Sequence, residues 1–231
     1  MMLRAKFSKL KPLRYISHLE LMDTIRRALR RAQFPLAYTE GYNPHIKLSL
    51  CQPLSVGMIG LGEFFDLELD SYIEPEFFSS SLNMQVPEGI KIIEAREIGD
   101  NLKSLQAIIN SAVFTINMEY NDKVDEASLI KDFMARDSIE IIRHRRKKKD
   151  RKIDLRPMIF DLKLKERNIW SFTLSVGSSG NVRPTEIIQA LHKWNQSIKE
   201  VPIINITREA MYVKIKDNYF EPWEKKLSGD E

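Results

Sequence analysis

The residue types best suited to chemistry gather in the first 47 positions. Arg14, Tyr15, Ser17 and His18 stand close together, Arg26, Arg27, Arg30 and Arg31 follow at helical spacing, and Gly41-Tyr42-Asn43-Pro44-His45-Ile46-Lys47 completes the set. Cationic side chains at this density suit phosphate oxygens, and the interleaved Tyr15, Tyr38 and Tyr42 offer faces on which unpaired bases stack. The histidines allow a second chemistry. His18 or His45 can act as a general base towards a ribose 2′-hydroxyl, with Lys47 or Arg14 stabilising the charge that develops. Plainer roles stand beside each. Ser17 reads as a helix N-cap, or, with Arg14, as part of an anion site where the first helical amides point outward. His18 falls on an apolar arc as a packed rim residue would, and Asn43-Pro44 reads as a turn.

A second basic concentration lies at residues 143–152, with Arg143, Arg145, Arg146, Lys147, Lys148, Lys149, Arg151 and Lys152 around His144 and Asp150. This stretch carries net +7, and so does 1–47, in a chain of net charge +4; the remainder sums to −10, most of it in 48–100 at −8. Local potential steers association even when net charge is small, so either basic stretch serves a polyanion or stands as a solvated face. On a nucleic acid the eight cations of the second would release counterions, making affinity steeply salt dependent.

Other function classes are excluded by pattern. No glycine-rich phosphate loop, G-x-S-x-G elbow or three-cysteine cluster motif occurs. His18, His45, His144 and His192 are scattered and Cys51 is the single cysteine, so neither a metal nor a cofactor is expected. With 43% hydrophobic residues among 231, and no apolar run long enough to span a bilayer or serve as a secretory signal, the expectation is a cytoplasmic globular protein.

These residues must be positioned by local elements. Residues 2–8 alternate as a half-buried strand. Ser17-His18-Leu19-Glu20 has capping-box spacing, and Leu21, Met22, Ile25, Ala28 and Leu29 form one helical arc opposite the arginines, closed by Pro35. Strands at 46–51 and 62–70, a helix near 74–83 and a strand from Ile90 complete a β-α-β-β-α-β order. A connector at 102–110 leads to a near repeat: strand 112–119, helix 125–136, strands 138–144, 152–165 and 168–176, helix 184–193 and strand 202–215. The expected fold class is α+β, two tandem ferredoxin-like antiparallel-sheet domains, the second with an extra strand. The boundaries are 1–100 and 101–216, with a flexible tail at 217–231 and the basic run at a hairpin tip. Helices would cover one face of each sheet and leave the other for a partner. Trp170, Trp194 and Trp223 read as packing residues.

The string from Lys6 to Leu50, with Ser17-His18-Leu19-Glu20, the Arg26–Arg31 cluster and Gly41-Tyr42-Asn43-Pro44-His45, followed by Gly62-Glu63-Phe64-Phe65-Asp66, resembles the radical-SAM-associated domain family. Ile153-Asp154-Leu155-Arg156, Val182-Arg183-Pro184 and Arg208-Glu209-Ala210 look like its later motifs. Ile46 departs from it, since the family commonly has a proline there. The resemblance implies a radical-SAM protein as partner and, through the family's gene neighbours, a place in RNA metabolism. The expected function is a non-catalytic RNA-binding or substrate-presenting accessory subunit of a radical-SAM enzyme that modifies RNA. A metal-independent endoribonuclease and a protein–protein adaptor stand as alternatives.

Overall fold

The structure is a computed structural model that describes residues 1–99, 103–144, 149–178 and 180–224. It is a mixed α+β protein with mostly antiparallel β-sheet and few helices. The chain divides into two compact units, Met1–Ile109 together with the segment that begins at Ala210, and Asn110–Glu209.

In the first unit, β1 (Met2–Lys9) pairs antiparallel with β3 (Ile59–Glu68) on one side and β4 (Ile90–Ile98) on the other, and β2 (Leu48–Leu50) adds to β3. β1 therefore lies between β4 and β3, and β2 pairs with β3 off the main path of the sheet. Helix α1 (His18–Arg31) begins with the reciprocal cap its sequence predicts: the Glu20 amide donates to Ser17 Oγ at 3.3 Å, and the Ser17 amide donates to the Glu20 carboxylate at 2.7 Å. Its Leu21, Ile25, Ala28 and Leu29, with Phe78 and Leu82 of α2 (Pro75–Asn83), share a core with Leu3, Ala5 and Phe7 of β1. The alternation of β1 sends Arg4 and Lys6 to the opposite face.

That opposite face is not left open. Arg4 is fully buried and holds Asp66 through two hydrogen bonds, Nε to Oδ1 at 2.7 Å and Nη2 to Oδ2 at 2.9 Å. Its remaining donors reach the carbonyls of Pro222 at 2.5 Å and Lys103 at 3.2 Å. Lys6 binds Glu221 at 2.6 Å, and Trp223 packs edge-on against Phe64 at 5.1 Å between ring centres. Residues 218–223 accordingly correct the expected tail. Asn218–Phe220 form β11 against the end of β10 (Ile206–Ile215), and Trp223 is buried, because β1 and β3 present charges and an aromatic ring that this segment helps to satisfy. A short helix, α3 (Leu105–Ile108), adds to the cover, where Gln106 Nε2 donates to the Leu50 carbonyl at 3.2 Å.

In the second unit, β5 (Ser111–Asn117) pairs with β9 (Ile169–Ser175), which pairs with β8 (Ile159–Glu166), all antiparallel. Helices α4 (Glu126–Met134) and α5 (Pro184–Trp194) follow β5 and β9. The single strand expected over 152–165 is two. β7 (Arg151–Asp154) ends at a 3-10 turn, Arg156–Met158, before β8 begins. Pro157 lacks the amide that a continuous ladder needs, and Asp154 Oδ1 instead takes the amides of Ile139 and Arg156 at 2.8 and 2.9 Å. β7 pairs only with β6 (Glu140–Arg143), so the extra element is a separate two-stranded ribbon rather than a further strand of the sheet.

Glu126, at the first turn of α4, organises this unit. Its carboxylate accepts Tyr120 Oη and Trp170 Nε1, both at 2.7 Å, and the Asn168 amide at 3.1 Å. Burial pushes this carboxyl up, but the three donors and nearby Arg167 outweigh it and hold it below the ordinary 4.5. Burial, then the bond to Glu126, pushes the Tyr120 hydroxyl up.

Two stability predictions follow from these contacts. Asp66→Ala leaves the Arg4 charge buried and unpaired and lowers unfolding free energy by about 3–5 kcal/mol, whereas Arg4→Met with Asp66→Leu recovers most of the loss; urea denaturation measures both. A carboxyl whose pKa is depressed by folding stabilises above its unfolded value and loses that contribution as pH falls through its folded value. Wild type therefore exceeds Glu126→Gln in stability at pH 7, and the gap closes as pH drops below the ordinary 4.5; paired melts across that range detect it.

Candidate nucleic-acid interface

The outer face of α1 is an arginine surface. Arg27, Arg30 and Arg31 are exposed, because the buried Leu21–Ile25–Ala28–Leu29 stripe fixes the helix rotation and leaves these positions to solvent. Arg31 Nη2 donates to the Gln85 carbonyl. Arg27 and Arg30 have no ion pair or side-chain hydrogen bond among the described residues. Arg26 is half-buried and meets Asp23 through Nη1 at 3.3 Å, while its Nε is shielded from solvent without a hydrogen-bond partner among the described residues.

The segment after the helix folds back on itself. The Lys47 amide donates to the Ala37 carbonyl at 2.9 Å, the Thr39 amide to the His45 carbonyl at 2.8 Å, and the His45 amide to Thr39 Oγ1 at 3.0 Å. Gly41, at φ +118°, turns the tip through a backbone region that other residues avoid. Tyr42 at that tip is fully exposed, as are Asn43 and Pro44 beside it.

A groove of about 1000 Å³ is bounded by the hairpin and β2, by Arg26 of α1, by Met1 and Met2 at the start of β1, and by Ile98, Gly99 and Ser104. Thr39, His45, Lys47 and Ser49 line it as exposed residues, while Ile46 and Leu48 of the same segment are buried in the core. Asp66 and Glu68 also line it, but each has its own cation. Asp66 belongs to Arg4, and Glu68 accepts from Lys47 Nζ at 2.8 Å, an interaction that raises the Lys47 pKa. Arg26, the remaining charged residue of the lining, has Asp23 as its own partner. Sequence spacing placed Arg26, His45 and Lys47 among the candidates without joining them; their meeting at one groove is a tertiary fact. Thr39 and Ser49 were missed, although the alternation of Leu48-Ser49-Leu50 already assigns Ser49 to the open side of its strand.

The other sequence candidates do not join this groove. Arg14 is buried and its Nε donates to the Gly57 carbonyl at 2.5 Å, so it holds a loop rather than standing free for a phosphate or a developing charge. Ser17 is occupied as the helix cap. Tyr15 is exposed, with the Arg14 guanidinium 5.9 Å from its ring centre, and His18 is partly buried at the first helical position.

The second basic stretch sits where the ribbon turns. Arg143 is consumed structurally: Nε and Nη2 hold the Glu186 carboxylate of α5 at 2.7 and 2.6 Å, and Nη2 also reaches the Asn181 carbonyl at 2.8 Å. Its bond to Glu186 raises its already high pKa. Lys152 pairs with Glu140 at 2.7 Å and His144 with Asp150 at 2.8 Å, all exposed. Lys149 and Arg151 are exposed and unpaired among the described residues. Arg145, Arg146, Lys147 and Lys148 lie outside the described residues. Among the described residues there is no cluster of three potential metal ligands, and no helix is long and apolar enough to cross a membrane.

The chain belongs to the family described as "Uncharacterized protein conserved in bacteria (DUF2344)", whose model matches residues 2–184. No curated protein matches it. Among solved structures, a chain of the "Crystal Structure of a Cbf5-Nop10-Gar1 Complex" is similar over 88% of this chain, at 12% identity and a TM-score of 0.45. The similarity spans about half of that chain, 47%.

The two kinds of ribbon cation separate by stability. Arg143→Ala strands the Glu186 carboxylate and costs about 1.5–3 kcal/mol, in the range of hydrogen bonds to charged groups, whereas Arg151→Ala stays within about 0.5 kcal/mol of wild type. Thermal or urea unfolding of the two variants measures the difference.

Proposed function

We propose that this protein is a non-catalytic RNA-binding subunit that presents single-stranded RNA to a radical-SAM partner. The observation that carries the RNA reading is the outer face of α1. Arg26 and Arg30, and Arg27 and Arg31, are like charges one helical turn apart, a spacing that costs about 0.2–0.5 kcal/mol per pair in the absence of an anion. Neither Arg27 nor Arg30 has a carboxylate partner among the described residues. An RNA backbone supplies the missing anions. Tyr42, lifted clear of the protein by its hairpin, adds a stacking surface of the kind unpaired bases use. The second unit has exposed cations of its own in Lys149 and Arg151.

Support for a binding rather than cleaving role comes from how the polar groups are engaged. Lys47 is held by Glu68 and Arg14 by a backbone carbonyl, so the two groups assigned to charge stabilisation in an endoribonuclease are already committed. The radical-SAM partner rests on the family resemblance of the 6–50 segment. The pairing of β1 with β4 and β3, and of β2 with β3, together with α1 and α2, supports reading the first unit as ferredoxin-like. The β5-β9-β8 order, with the ribbon inserted after α4, supports the same reading of the second.

The test is a salt titration of single-stranded RNA binding by fluorescence anisotropy. Each phosphate contact contributes about 0.7 to the slope of log K against log salt for single strands, so Arg27→Ala/Arg30→Ala/Arg31→Ala flattens the slope by about 2. Failure of the folded wild type to bind RNA at low salt overturns the RNA reading. Copurification with a radical-SAM partner that survives nuclease, together with that failure, leaves the adaptor alternative.

A further inference from the structure

We infer that the C-terminal strap, residues 218–224, exchanges between two copies of this chain, so that each copy's strap covers the sheet of the other. The inference stands apart from the RNA reading and concerns a different surface.

The strap is anchored independently of the turn that leads into it. Glu221 accepts from Lys6 Nζ at 2.6 Å and from Trp223 Nε1 at 2.9 Å, and the Pro222 carbonyl accepts from Arg4. The Trp223 ring meets Phe64 edge-on and has the Arg96 guanidinium 4.5 Å from its centre. Arg4, Lys6, Phe64 and Arg96 belong to β1, β3 and β4, far from the strap in sequence. None of these contacts depends on which copy supplies the strap.

The turn itself is the weak element. β10 and β11 are joined through Lys216 and Asp217, which lie between the paired Ile215 and Asn218. Hairpin loops of this length favour Asn-Gly, Asp-Gly or a leading glycine, because they need left-handed backbone. Here Lys216 supplies it, at φ +54°. For a lysine that region is disfavoured on the order of tenfold. The turn of the same length between β8 and β9 meets the demand with Asn168 at φ +64°, a residue type that tolerates it. β11 adds only the pairs Val213–Phe220, Lys214–Tyr219 and Ile215–Asn218, and Asn218 and Tyr219 are exposed.

Opening the turn releases Lys216 from the left-handed region in both copies, and every contact of the strap, the β10–β11 pairs included, is regained across the dimer. Short hinges under strain favour exchange for this reason. Opposing it is the effective concentration of a strap tethered to its own sheet, about millimolar for a short link. The exchange is therefore concentration dependent.

The experiment is sedimentation velocity over a concentration series up to about 1 mM, on the full chain and on two reciprocal variants, Lys6→Glu and Glu221→Lys. Alone, each variant sets like charges against each other under its own strap. Mixed, exchange places the strap of Glu221→Lys on the sheet of Lys6→Glu, and the unaltered Glu221 of one on the unaltered Lys6 of the other. Wild type shows a monomer–dimer equilibrium, and the mixture associates at least about tenfold more tightly than either variant alone, as two like-charge contacts become two opposite ones. Lys216→Gly relaxes the turn in the monomer and weakens the wild-type dimer on the order of tenfold. Circular dichroism verifies each fold; if the charge variants do not fold, wild type against Lys216→Gly decides. A wild type that stays monomeric throughout, folded charge variants that associate no better mixed than apart, or a dimer that Lys216→Gly leaves unchanged overturns the exchange.

Discussion

The Arg4–Asp66 pair is the interaction on which the first unit depends. Asp66 lies in β3 and Arg4 in β1, and the guanidinium also meets carbonyls from the connector at Lys103 and the C-terminal segment at Pro222. A buried guanidinium is tolerated only when its donors are met, so the need to satisfy this one side chain draws four separate stretches of chain together. Lys6 with Glu221 and Phe64 with Trp223 then complete the cover. The sheet face opposite the helices is thereby covered by the protein's own chain, while the outer surface of α1 stays open to solvent.

The basic residues fall into two classes that composition alone merges. Arg4, Arg14 and Arg143 are structural, each directing its planar fork at a carboxylate or backbone carbonyl, the geometry that arginine meets and lysine does not. Arg27, Arg30, Lys149 and Arg151 are free charges, exposed and unpaired among the described residues. The net +7 of residues 1–47 therefore overstates the field that a ligand meets, since part of it is neutralised within the fold. What remains is concentrated on one helix face, where like charges at one-turn spacing repel until an anion arrives.

What was legible in the sequence was local. The capping box at Ser17 and Glu20, the apolar stripe of α1 and the alternation of β1 are set by residues within a few positions of one another, and each formed where its spacing placed it. What was not legible depended on partners far away in the chain. Arg4 reads as an exposed strand residue until Asp66 and Pro222 are brought to it, and residues 218–223 read as a tail because their partners lie some two hundred positions earlier. The break between β7 and β8 falls at Pro157, whose missing amide is a sequence-level signal for it. Of the site, the individual side chains Arg26, His45 and Lys47 were visible, but the groove that joins them was not. It is made by a hairpin whose register is set by backbone bonds such as that from Lys47 to Ala37, which leave no trace in residue type.

The separation of free from committed charges bears on specificity. A flat cationic helix face holds any polyanion, and its affinity falls with salt irrespective of sequence. Discrimination requires a concave site where polar groups are withdrawn from water and must be matched by the ligand. In the first unit Arg26 divides its donors: Nη1 is met by Asp23, and Nε is shielded from solvent with no partner among the described residues. A shielded donor without an acceptor is a standing cost to the fold, and natural structures carry few of them.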